Sequence, residues 1–295
     1  MASLLEFVGN TPLVELTRVI NKKGIKVYAK LEGHNPGGSV KDRAALGMIK
    51  GALERGELKP GMKLIEATSG NTGIALAMIA RLYNLEIELV MPSNATKERV
   101  KTMEAFGAKV ILTPEEKSME GAIDYANEKF ASGGYYMLNQ FSNPDNYMAH
   151  YYTTGPEIWR DTNGEVTHFV SSMGTTGTIM GVSRFLKEKN ENIQIVGVQP
   201  VEGSQIPGIR RWPEAYLPKI FEKERVDQTI DVSQTEATEM ARRLSKEEAI
   251  FAGMSSGGAV AAVKKLIVNI EKAVVVCIIC DRGDRYLSSP LFDQV

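Results

Sequence analysis

A lysine behind a flexible turn, three clusters of small hydroxylated residues and a pair of arginines are the groups in this sequence that could do chemistry. Lys41 follows NPGGSV and stands at the predicted start of a helix over 42–56. An amine there can form a Schiff base with a carbonyl compound. In isolation the position reads more readily as a solvated lysine at a helix start. Gly174, Thr175, Thr176, Gly177 and Thr178 follow a predicted strand over 168–173 and open a predicted helix over 178–190. Small residues let backbone N–H groups converge on an anion, threonine hydroxyls add donors, and the helix start favours negative charge. A monophosphate fits such a turn, and so does a plain strand-to-helix connection with no ligand. EATSGNTGIA (66–75) places Thr68, Ser69, Asn71 and Thr72 at another helix start. These side chains suit a carboxylate, or else Ser69 or Asn71 simply caps the helix. In GMSSGGA (253–259), Ser255 or Ser256 is expected to cap the following helix, with one hydroxyl free to face a ligand. Arg210 and Arg211 lie beside Trp212 in the proline-punctuated stretch 200–219, which is too long for a mere connection and is a candidate functional loop.

Several other chemistries find no support. The chain has no G-x-G-x-x-G fingerprint, no G-x-S-x-G elbow, and Ser39 stands where a Walker loop would carry lysine. CIIC (277–280) lies on a predicted strand, where residues three apart point to opposite faces, so core packing is the better reading than a shared metal. His34, His150 and His168 are scattered, and no metal is assigned to them. The 35 basic residues nearly cancel the 36 acidic ones, which gives no basis for nucleic-acid binding through bulk charge. The longest apolar run, 273–279, is far below the ~18 residues of a membrane span, and the first residues lack the pattern of a secretory signal. With two cysteines and no disulfide framework, a cytoplasmic location is expected.

The elements that must position these groups alternate along the chain. Strands are predicted over 26–32, 63–68, 86–92, 108–113, 168–173, 194–200 and 273–280, and helices over 42–56, 71–83, 96–107, 178–190 and 236–249. That alternation predicts an α/β fold with mainly parallel sheets and helices on both faces. Glycine clusters fall where strands meet helices, which is where open α/β sheets place ligands.

Taken together and in order, GNTPLVEL (9–16), NPGGSVKDRAA (35–45), EATSGNTGIALA (66–77), NQFSNPDN (139–146), TTGPEIW (153–159), GTTGT (174–178), GMSSGGA (253–259) and DRGDRYLSS (281–289) resemble the cysteine synthase family of fold-type II pyridoxal-phosphate enzymes. The resemblance covers nearly the whole chain. It implies two open twisted sheets in two domains. Residues 1–12 and 35–143 would form a smaller, mobile, substrate-binding domain, and 13–34 and 144–295 a larger one that anchors the cofactor. It further implies that Lys41 carries pyridoxal 5'-phosphate as an aldimine and then serves as base for the substrate α-proton. Asn71 would bond the cofactor's phenolic oxygen, Gly174 to Thr178 would cradle its phosphate, and Ser255 would meet its pyridine nitrogen. Thr68, Ser69, Asn71, Thr72 and Gln140 would receive or line the substrate carboxylate.

The implied reaction is β-replacement through an aminoacrylate, joining O-acetyl-L-serine to a sulfur nucleophile. SQIPGIRRWP (204–213) and CDRGDRY (280–286) depart from the common A type of the family. The first puts Arg210 and Arg211 at the mouth of the site and implies that thiosulfate joins sulfide as a donor. A homodimer is expected from the family. Two rivals are weighed: a serine or threonine dehydratase or cystathionine β-synthase-like enzyme of the same fold, which the RRW and CDRGDRY segments argue against, and a non-catalytic binding protein, which Lys41 disfavours.

Overall fold

The β-branched runs pair into two separate sheets in the computed structural model, which describes residues 2–68 and 70–293. In chain order the elements are β1 (Leu13–Glu15), β2 (Ile25–Leu31), α1 (Lys41–Glu54), β3 (Lys63–Ala67), α2 (Asn71–Leu82), β4 (Ile87–Pro92), α3 (Lys97–Ala105), β5 (Lys109–Thr113), α4 (Ser118–Ala131) and β6 (Tyr135–Met137). They continue with α5 (Pro144–Tyr152), α6 (Thr154–Asp161), β7 (His168–Ser172), α7 (Gly177–Lys189), β8 (Gln194–Pro200), β9 (Gln228–Val232), α8 (Gln234–Glu248), α9 (Met254–Leu266) and β10 (Ala273–Ile279). The chain divides into two compact units, Met1–Val8 with Lys41–Asn146, and Gly9–Val40 with Tyr147–Val295.

The smaller unit holds a four-stranded sheet in the order β5-β4-β3-β6, parallel throughout. Strand residues alternate between two faces. Leu64 and Leu89 pack with Met48, Ile49, Leu76, Ile79 and Met103 from α1, α2 and α3 on one face. Ile65 and Val90 meet Ala122 and Ala126 of α4 on the other.

The larger unit holds a six-stranded sheet, β1-β2-β10-β7-β8-β9, in which only the β1–β2 pair is antiparallel. β10 lies between β2 and β7, with Cys277 opposite both Ala29 and Val170. A strand paired on both edges and covered on both faces has no solvent side, so AVVVCII can be apolar without interruption. Its two faces separate the cysteines. Cys277 is buried among Val170, Val196 and Val275, whereas Cys280 packs against the opposite cluster around Phe169 and Ile278. Burial pushes the Cys277 thiol up to about 12.

All seven predicted strands and all five predicted helices are present, most within two residues of their expected ends. The short strands β1, β6 and β9 and the helices α4, α5 and α6 were not predicted, and α9 was expected only as the helix that follows GMSSGGA, without bounds. Among the described residues no helix is long and apolar enough to cross a membrane.

One ionic cluster pins β2 to the segments beside it. Lys30 is fully buried, and its Nζ reaches the Thr11 carbonyl at 2.6 Å, Glu157 at 2.7 Å and Asp161 at 3.5 Å. Glu157 also accepts the Asn10 N–H at 2.9 Å. Removing one partner of such a group strands the other in a low dielectric. Lys30→Ala is therefore expected to cost about 3–5 kcal/mol of unfolding free energy in urea titrations, far more than loss of a surface pair.

Candidate active site

In the smaller unit the candidate residues gather at the start of α2. Gly70 is the residue that caps this helix, in extended conformation, and no side chain caps it. Asn71 is therefore a first-turn residue and not the cap, and Ser69 lies outside the described residues. A helix start without a side-chain cap favours negative charge beside it. Thr68 accepts the Gly70 N–H at 3.4 Å, and the Thr72 hydroxyl donates to Gln140 Oε1 at 2.8 Å. Thr68, Thr72 and Gln140 are all buried. Two side chains 68 residues apart in sequence thus meet at one helix start. Lys41 is the first residue of α1 and is partly buried, not fully solvated.

Beneath this cluster sits Glu66, which sequence reasoning passed over. It is a buried acid in β3, and its carboxylate accepts the N–H of Asn139 at 3.1 Å and of Gln140 at 3.5 Å. Burial pushes the carboxyl up to about 7 despite the opposing backbone N–H groups of Asn139, Gln140 and Leu138. The one sequence signal was an acid within an otherwise apolar strand, KLIEA.

In the larger unit Gly174–Thr178 joins β7 to α7 as expected. Thr176 precedes α7 in left-handed conformation, φ 72°, without capping the helix through its side chain. The Gly177 N–H donates to the Thr175 hydroxyl at 3.3 Å. His150, also passed over, lies 2.8 Å from Thr154 Oγ1 through Nδ1 and 3.3 Å from Thr178 Oγ1 through Nε2. It reaches Thr178 because Gly181 lets α5 approach α7 closely, where any Cβ would run into the Tyr147 carbonyl.

The 204–213 loop seats on this turn. Ile206 and Ile209 are buried and anchor it, and Gly208 turns between them at φ 88°. The Arg210 N–H bonds the Met173 carbonyl at 2.9 Å, and the Trp212 indole N–H bonds the Gly174 carbonyl at 2.8 Å. A Cβ on Gly174 would come within 2.8 Å of the Gly208 carbonyl oxygen, so only glycine permits the approach.

The two arginines of this loop part company. Arg210 is exposed, with its guanidinium 5.2 Å from the Trp212 ring centroid. Arg211 bonds the Pro200 carbonyl at 2.9 Å and pairs with Asp231 at 2.5 Å.

Ser255 and Ser256 correct an expectation. Neither caps α9, which starts after Gly253 with no side-chain cap. Both lie inside the first turn, where Ser256 Oγ accepts the Cys280 N–H at 2.9 Å. Ser255 is buried, its carbonyl accepts the Ser172 hydroxyl at 2.8 Å, and a Cβ on Gly208 would sit 3.5 Å from its Oγ. The 206–212 loop therefore brings the Gly174 turn and Ser255 into one cluster.

The second departure segment, CDRGDRY, braces the turn that leads to Lys41. The Val40 N–H bonds the Cys280 carbonyl at 2.8 Å, Ser39 bridges Asp281, and Arg285 donates to the Gly37 carbonyl.

A strand-to-helix turn shaped for a phosphate and a lysine at a helix start define a class. The chain belongs to the pyridoxal-phosphate dependent enzyme family, whose model matches residues 4–281. It is 58% identical to cysteine synthase B of Pseudomonas aeruginosa, over 99% of this chain and 97% of that protein. It is 57% identical to cysteine synthase B of Escherichia coli, over 100% and 97% of the two chains. The crystal structure of O-acetyl serine sulfhydrylase isoform 3 from Entamoeba histolytica superposes with a TM-score of 0.95 at 40% identity, covering 100% of this chain and 92% of that one.

The Gly174–Thr178 turn fits the family's cofactor on its own evidence. Thr176 Oγ1 is buried and has no hydrogen-bond partner, a state that costs free energy unless a ligand supplies one. A phosphate at the start of α7 would accept from that hydroxyl, and the helix start favours its negative charge. Thr176→Val keeps the shape and removes the orphan. The cofactor-free variant is expected to unfold at the same urea concentration as the parent or a higher one. It should release pyridoxal phosphate at least several-fold faster on dialysis, followed by absorbance.

Proposed function

We propose that this protein forms L-cysteine from O-acetyl-L-serine and sulfide by pyridoxal-phosphate-dependent β-replacement, and that it also takes thiosulfate, giving S-sulfocysteine. The observation that carries the reading is the seating of the arginine-bearing 206–212 loop on the Gly174 turn, in a chain that matches cysteine synthase B over its whole length.

Bound pyridoxal phosphate supplies an electron sink that acidifies the substrate α-carbon and allows the β-substituent to leave. The chain's own groups do the rest. By the resemblance, Lys41 would hold the cofactor through its Nζ and would be the base for the substrate α-proton. Gly174, Thr175, Thr176, Gly177 and Thr178 would hold its phosphate, and Asn71 would donate to its ring oxygen. Ser255 would offer the pyridine nitrogen a neutral hydroxyl in place of a carboxylate, which would favour elimination over side reactions. Thr68, Asn71, Thr72 and Gln140 bind the substrate carboxylate at the start of α2, with Ser69 assigned to the same loop by resemblance. The smaller unit is thereby assigned the substrate carboxylate and the larger the cofactor phosphate. A homodimer and a cytoplasmic location belong to the same reading.

Thiosulfate separates the two arginines. It is a dianion whose oxygens call for charge-assisted donors, whereas sulfide is small and needs little guidance. Arg211 is engaged by Asp231 and the Pro200 carbonyl, which leaves Arg210, stacked over Trp212, as the cation of the loop available to an anion.

Lys41→Ala should abolish cysteine formation while leaving unfolding by urea unchanged, and turnover of O-acetylserine at the parent rate would remove the assignment. Arg210→Ala should lower kcat/KM for thiosulfate by about tenfold or more, from the loss of ~1.5–3 kcal/mol, with sulfide changed less than about twofold. Arg211→Ala should affect both donors alike, since it frees the loop from β9 without removing the anion's partner. Losses in Arg210→Ala that are equal for the two donors would assign that side chain to loop structure instead.

A further inference from the structure

The Thr72–Gln140 contact depends on a segment with little regular structure of its own. Gln140 follows Asn139, a non-glycine residue at φ 52°, in the connection between β6 and α5. That conformation is disfavoured for an L-residue and persists only where its surroundings hold it. Asn143 Nδ2 donates to the Leu138 carbonyl at 2.8 Å and Asn146 Nδ2 to the Gln140 carbonyl at 2.7 Å. These amides satisfy the acceptors of the turn. Its donors, the Asn139 and Gln140 N–H groups, go to Glu66 alone. One carboxylate on a rigid parallel strand therefore fixes the backbone from which the Gln140 side chain projects.

We infer that Glu66 is the positioning residue of the substrate-carboxylate pocket, holding the 138–140 turn so that Gln140 and Thr72 stand ready for the substrate. This rests on the reading in which those two residues receive the carboxylate.

Ionised, Glu66 presents both oxygens as acceptors to two N–H donors. Protonated, one oxygen becomes a donor facing donors, and one of the two bonds is lost. Its carboxyl titrates at about 7, so the turn is fully held only above neutrality. A folded-state value raised above the ordinary 4.5 means that the folded protein binds the extra proton between those limits. Stability accordingly falls as pH rises from about 4.5 to about 7. The ionised form that orders the pocket is the one that folding disfavours.

The charged groups of neighbouring elements do not replace this control. On β3 itself Lys63 pairs with Glu86, and on β4 Glu88 pairs with Lys109. On β6 the Tyr136 hydroxyl donates to Glu57, while Tyr135 and Met137 pack on the far face of the sheet with α4. α1 carries Lys41, Asp42, Arg43 and Lys50, α2 carries Arg81, and α4 carries Glu120, Asp124, Glu128 and Lys129. Backbone N–H groups are the partners that oppose the burial of Glu66.

The test uses the holoenzyme with O-acetylserine and sulfide. Glu66→Gln, of equal size, turns one acceptor into a donor. It should raise KM for O-acetylserine about tenfold at pH 8, leave kcat within about twofold, and retain the cofactor's absorbance. The parent should show a fall in kcat/KM below pH ~7 that is absent from the ratio profile of the variant. Gln140→Ala should raise KM by itself, and the double variant should be no worse than Gln140→Ala, because Glu66 acts through Gln140. Additive effects in the double variant, or equal losses in kcat and kcat/KM, would reduce Glu66 to a structural residue. An unchanged KM in Gln140→Ala overturns the pocket reading and this inference with it. A raised KM there with an unchanged KM in Glu66→Gln overturns the inference alone. If Glu66→Gln does not fold, Glu66→Asp keeps the charge but withdraws it by one methylene. It should raise KM while keeping the pH step, and loss of neither would refute the assignment.

Discussion

The first turn of an α-helix carries backbone N–H groups that the helix itself cannot satisfy, and both clusters proposed to bind anions lie at such helix starts. α8 answers it in the ordinary way, with Ser233 and Glu236 forming a reciprocal box. α2, α7 and α9 instead begin on Gly70, Thr176 and Gly253, none of which caps its helix through a side chain. These are the points to which a carboxylate, a phosphate and a pyridine ring are assigned. The parallel strands β3 and β7 lead into α2 and α7 at their carboxyl ends, whereas α9 follows α8.

The 206–212 loop shows how a family scaffold is adjusted without new elements. Two buried isoleucines fasten it, one glycine turns it, and main-chain and indole hydrogen bonds fix it to Met173 and Gly174. Once the backbone is set, adjacent residues of an irregular segment face different ways. One arginine goes to Asp231 and the other stands over Trp212. Partial burial works against the Asp231 carboxylate, but Gln199 and Arg211 outweigh it and hold it below its usual range. That partnership commits Arg211 to the protein.

Long apolar strands and helix starts were legible in the sequence because their signals are local. AVVVCII reads as a buried strand by itself, and GTTGT reads as an anion turn from its neighbours. Lys41 became decisive only through the order of several weak segments along the chain. Glu66, His150 and the Arg211–Asp231 pair were not legible, because each depends on a residue between 20 and 74 positions away whose approach is set by packing. The capping expectation for Ser255 and Ser256 failed for a related reason. Serine favours helix caps on average, but here Gly253 leaves the chain in extended conformation and the Ser256 hydroxyl is taken by Cys280.

Between synthesis and loading, a chain that buries the Thr176 hydroxyl without a partner carries a cost that the loaded protein does not. A ligand that binds only the folded state stabilises it in proportion to the logarithm of its free concentration over its dissociation constant. By that linkage, cofactor binding at this turn adds to the stability of the folded chain as well as supplying its chemistry.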